Sequence, residues 1–73
     1  MPQDPEVTTI KEIRGTDGST AYEVSGGKPG EGAASYVISK EAFHAAEREG
    51  KERLKDVLRN GIQTTLDYEH GRS

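Results

Sequence analysis

The sequence predicts an α+β fold, a small antiparallel sheet of three to four strands packed against one main α-helix. Three observations predict it. Short β-branched segments alternate with turn signals through the first 39 residues. A stretch from Lys40 to Asn60 then repeats apolar residues at helical spacing. A chain of 73 residues holds one small domain, so both parts must share a single core.

Residues 1–6 carry two prolines among polar residues and read as a flexible tail ahead of a single domain over residues 7–68. "VTTIKEIRG" (7–15) is rich in β-branched residues and reads as the first strand, although Ile10 and Ile13 break strict alternation. "TDGS" (16–19) is a hairpin turn, because Asp-Gly accepts positive φ. "TAYEV" (20–24) pairs back as the second strand. "SGGKPGEGAA" (25–34), with four glycines and a proline, reads as a flexible loop. It has neither Gly-Lys-Ser/Thr nor G-x-G-x-x-G and so lacks a phosphate-cradling fingerprint.

"SYVIS" (35–39) is the third strand, and Ser39 is placed to cap the helix that follows, with Glu41 near the positive end of its dipole. A reciprocal capping box fails because Ala42 stands three residues on. The helix is expected to run from Lys40 to about Asn60, where Asn-Gly offers a left-handed stop. "IQTTLDY" (62–68) is a fourth strand or a tail that lays Ile62, Leu66 and Tyr68 on the sheet. Residues 69–73 read as a second flexible tail.

Gly50 is the weak point of a single helix, since an interior glycine costs roughly 1 kcal/mol relative to alanine. A break there would give two short helices after "SYVIS", the order found in ribbon-helix-helix repressors. An unbroken helix gathers Phe43, Ala46, Gly50, Leu54, Val57 and Leu58 into one apolar stripe, which favours continuity. His44, Arg48, Lys51, Lys55 and Arg59 then line up beside that stripe, within an arc of about 80° at 100° per residue. Glu41, Glu49, Glu52 and Asp56 fall beyond them, and Glu47 stands apart at the core edge. Arg48–Glu52, Glu52–Lys55 and Asp56–Arg59 have the spacing of solvated intrahelical pairs. The basic row is therefore either the wet side of a helix or a docking face for an acidic partner, and it supplies the candidate partner-binding residues.

Composition narrows the function. The apolar fraction is 30% and the charged fraction 32%, so the core is thin and each of Tyr22, Tyr36, Phe43 and Tyr68 matters to it. There is no cysteine, which fits a reducing compartment and removes disulfide staples and a zinc-thiolate cluster. No apolar run suits a signal peptide or a membrane span, and a cytoplasmic location is expected. Residues 1–39 carry three bases against six acids, an unfavourable footprint for autonomous DNA binding. Neither histidine has a predicted orienting carboxylate, and no serine lies in a nucleophile elbow. The reading is a non-enzyme, with no catalytic, cofactor or metal residues, no membrane partner, and a monomeric state.

In length and layout the chain resembles the small phage-encoded regulators of host bacterial RNA polymerase, of the type made by lytic phages of Xanthomonas. The resemblance is carried by the hairpin "TIKEIRGTDGSTAYEV", the glycine segment "SGGKPGEG" and the helical stretch "SKEAFHAAEREGKERLKDVLRN". It implies a protein in the host cytoplasm that binds the polymerase at the β′ N-terminal region and the β flap. Such binding inhibits transcription initiation and can also suppress termination. The alternatives are a ribbon-helix-helix DNA-binding repressor and an inhibitor of another host complex, such as a nuclease or CRISPR machine.

Overall fold

The computed structural model describes residues 4–71. Strands β1 (Glu6–Arg14), β2 (Thr20–Lys28) and β3 (Gly32–Ser39) form one antiparallel sheet in that order, followed by helices α1 (Lys40–Arg48) and α2 (Lys51–Glu69). The α+β class holds, with α2 as the main helix and α1 as a shorter companion.

The β1–β2 turn is closed by the Gly15 N–H on the Ser19 carbonyl (2.8 Å) and the Gly18 N–H on the Gly15 carbonyl (3.0 Å). Asp17 locks it further, accepting from the Ser19 N–H (3.0 Å) and hydroxyl (2.6 Å). These bonds favour the carboxylate and hold its pKa below the ordinary value. Near its start β1 is bulged. The register shifts between Val7 and Thr9, and the Thr8 hydroxyl donates to the Ser25 carbonyl at 3.3 Å. Ile10 pairs with Val24 and Ile13 with Ala21, so the two isoleucines point to opposite faces, and strict alternation fails for that reason.

The expected loop over residues 25–34 is mostly strand. β2 continues to Lys28 and β3 begins at Gly32, which leaves a three-residue turn at Pro29–Glu31. Gly26 and Gly27 are paired on both sides, with Val7 and Glu6 on one strand and Ala34 and Ala33 on the other. Satisfying the backbone on both edges outweighs the low strand propensity of glycine.

The helical region differs from expectation in two ways. Gly50 breaks the helix: its φ of 116° and ψ of 162° lie where only glycine is comfortable. The Glu49 and Gly50 N–H groups close α1 on the Ala46 and Glu47 carbonyls (both 3.1 Å), and Gly50 then caps α2. Second, Asn60–Gly61 stops nothing. α2 continues to Glu69, so residues 62–68 are helix, neither a strand nor an irregular tail. Gly61 belongs there because the Tyr36 ring covers it, and a Cβ would overlap that ring. The Tyr36 hydroxyl donates to the Leu58 carbonyl at 3.1 Å, fixing the contact.

Both helices cover one face of the sheet. Val24, Ala34, Phe43, Leu58, Ile62 and Leu66 form the core, with Tyr22, Tyr36, Ile38, Val7 and Leu54 packed around it. Ile62 and Leu66 are fully buried, whereas Tyr68, expected on the sheet, is 85% exposed. At the N-terminus Pro5 is buried and Glu6 opens β1, so the expected tail does not extend through residue 6; its first three residues lie outside the described range. At the other end Glu69 closes α2 and His70 Nε2 lies 3.0 Å from the Glu31 carbonyl, tying the helix to the β2–β3 turn.

Candidate protein-docking site

The break at Gly50 divides the basic row between two helices. Ser39 caps α1, its hydroxyl accepting from the Ala42 N–H at 3.2 Å, and α1 then carries His44 and Arg48. α2 carries Lys51, Lys55 and Arg59 at successive i,i+4 positions, which form one line along its surface.

His44 is engaged by the fold. Its Nδ1 lies 3.1 Å from the Glu47 carboxylate and its Nε2 3.5 Å from the Tyr22 hydroxyl. Its ring meets Phe43 and Tyr22 edge-on, at centroid distances of 5.6 and 6.0 Å. Glu47, set apart in the helical projection, is thus the partner of His44. Arg48, Lys51 and Lys55 are exposed and Arg59 is half-buried. The three pairs expected from spacing do not form. Among the described residues none of these four cations has a carboxylate within ion-pairing distance, and the helical pairs present are His44–Glu47 and Arg53–Glu49 (4.0 Å).

Lys55 and Arg59 flank a groove absent from the sequence-based reading. α2 lies mainly over β3 and β2 and touches β1 least. The gap beside β1 is a groove of about 390 Å³ whose floor is Val7, Ile10, Leu54 and Leu58. Lys55 and Arg59 stand on its helix side, and Asp4 and Glu6 on its strand side. Ile10 faces the helices, opposite the fully buried Val24, yet stays 44% exposed because no side chain among the described residues fills the gap above it. The one signal in the sequence was the Ile10–Ile13 spacing, which turns the two isoleucines to opposite faces and leaves Ile10 on the helix side.

Other polar groups serve the fold. Lys28 Nζ donates to Gln63 Oε1 (3.2 Å) and pairs with Glu31 (3.4 Å), while Gln63 Nε2 donates to Asp67 (2.9 Å). Together these tie the end of β2 to α2. Among the described residues no His, Asp or Glu cluster is arranged to hold a metal ion, and no helix is long and apolar enough to cross a membrane. No family model matches the chain, and neither curated proteins nor solved structures yield a match.

Proposed function

We propose that this protein is a non-enzymatic regulator that occupies a surface of a host protein complex, namely bacterial RNA polymerase, and so inhibits transcription initiation. The observation that carries this reading is a set of cations, Lys51, Lys55 and Arg59 in line on α2 with Arg48 at the end of α1, which the chain leaves without carboxylate partners among the described residues. All thirteen of the chain's acids lie among the described residues, yet none of them is within ion-pairing distance of these four bases. An acidic protein surface complements such a row, setting orientation and on-rate. The choice of polymerase, at the β′ N-terminal region and β flap, rests on the resemblance in length and layout; suppression of termination is a second consequence of the same binding.

The test uses purified bacterial RNA polymerase holoenzyme and promoter-dependent transcription. The wild-type protein binds the holoenzyme and reduces promoter-initiated transcripts, with affinity falling as salt rises. The triple change Arg48→Glu, Lys51→Glu and Lys55→Glu abolishes both effects while circular dichroism shows an unchanged fold. Exposed positions such as these usually shift stability by only about 0.5 kcal/mol each. A folded triple variant with undiminished binding and salt dependence refutes the basic row as the contact, and attention moves to the acidic hairpin around Asp17 and Glu23.

One observation favours a second reading, a ribbon-helix-helix type DNA-binding repressor: the order β3-α1-α2 with a break at Gly50. Two others weigh against it. β3 is paired with β2 along its length, whereas that family shares its ribbon between two chains. Acids also outnumber bases in the sheet half. A monomer by light scattering at micromolar concentration eliminates this reading.

A further inference from the structure

Deepening the docking reading on which it rests, we infer that the groove between β1 and α2 receives an apolar segment of the partner whose carboxylates lie on the α2 side. Ile10 carries the argument. A residue that alternation points toward the core, opposite a fully buried valine, is nearly half exposed because the helix above it is displaced toward β3. The defect is therefore one of filling, and an apolar side chain entering from outside completes the layer that α2 leaves open. A volume of about 390 Å³ falls at the lower end of the range for ligand sites, suited to a few side chains of a peptide segment.

The walls select the occupant. Lys55 and Arg59, one turn apart on α2, are without carboxylate partners among the described residues, so a partner acid beside them gains an opposite charge at little cost to the fold. Asp4 and Glu6 on the strand side repel that same acid, which leaves one favourable orientation. The polarity of the walls sets direction, and the floor formed by Val7, Ile10, Leu54 and Leu58 supplies the burial.

The test uses the full chain and two capped peptides, each with a pair of leucines, flanked by glutamates in one and by lysines in the other. Methyl NMR is expected to show the glutamate peptide shifting the Ile10, Leu54 and Leu58 signals, with the lysine peptide at least about tenfold weaker. Lys55→Glu is expected to reverse the preference, a result that a merely sticky apolar patch does not give. Ile10→Lys fills the groove with a charge and removes binding, and Lys55→Glu keeps the test decisive should that variant fold poorly. Equal binding of both peptides, or no shift of the groove methyls at millimolar peptide, overturns the inference. With the polymerase itself, Ile10→Lys leaves the basic row intact. Unchanged holoenzyme binding by folded Ile10→Lys sinks the groove alone, whereas unchanged binding by the triple reversal sinks the docking row.

Discussion

Tyr36 shows how one side chain decides a longer element. Its ring lies over Gly61 and its hydroxyl donates to the Leu58 carbonyl, so the tyrosine braces α2 where Asn60–Gly61 looks, in sequence, like a stop. A glycine read locally is a helix terminator; against an aromatic ring from another strand it is the residue small enough to let the helix pass. That distinction depends on a partner twenty-five positions away and is invisible to local propensity. Burial also raises the Tyr36 pKa above its ordinary value of 10.0, because the phenolate is poorly solvated there. The sign follows directly: the neutral ring's contribution is fully present below about pH 10 and is lost as pH rises through the raised folded value. Tyr36→Phe is expected to cost about 1 kcal/mol at neutral pH through the lost hydrogen bond. The gap between wild type and variant should narrow above pH 10, as read by urea midpoints across that range. A gap that stays constant across that range would show that the hydroxyl is not buried against α2.

At the scale of elements, the hairpin and the α1 cap were legible because their signals are local. Asp17–Gly18 makes its turn within four residues, and Ser39 caps α1 from the adjacent position. The β2–β3 extension and the helix break were not, for opposite reasons. Gly26 and Gly27 join the sheet because both neighbouring strands satisfy their backbones, a long-range compensation. Gly50 falls on the apolar stripe of an ideal helix, so periodicity hides the break, and only its φ of 116° discloses it. Substitution separates the two descriptions by sign. In a continuous helix Gly50→Ala stabilises by roughly 1 kcal/mol. At the observed φ and ψ, a Cβ introduces backbone strain of about 1–3 kcal/mol, although no neighbouring atom obstructs it. Thermal or urea unfolding of Gly50→Ala should therefore show a loss of stability, and a gain would restore the single helix.

For the whole molecule, the displaced seat of α2 links stability to the site. The helix places Ile62 and Leu66 at the centre of the core, both fully buried, and leaves Leu54, nearer its N-terminus, only partly packed beside β1. Part of the candidate site was legible: of the basic row, Lys51, Lys55 and Arg59 share one line on α2 as helical spacing predicts. The break at Gly50 sets His44 and Arg48 apart on α1, and His44 contacts Tyr22 and Glu47. The groove was not legible, because it arises from how a helix lies across three strands rather than from any residue's identity. The helical stripe alone makes Leu54 a core leucine, for which truncation costs roughly 2–5 kcal/mol. The structure transfers that cost to Ile62. Ile62→Ala is expected to lose about 2–5 kcal/mol, enough to unfold much of so small a domain, whose single core supplies only a few kcal/mol. Leu54→Ala, on a groove already open to water, should lose about 1 kcal/mol, and it should weaken partner binding more than it weakens the fold. Paired urea titrations read the difference. If Leu54→Ala proves as damaging as Ile62→Ala, α2 closes over β1 in solution, and the groove is core.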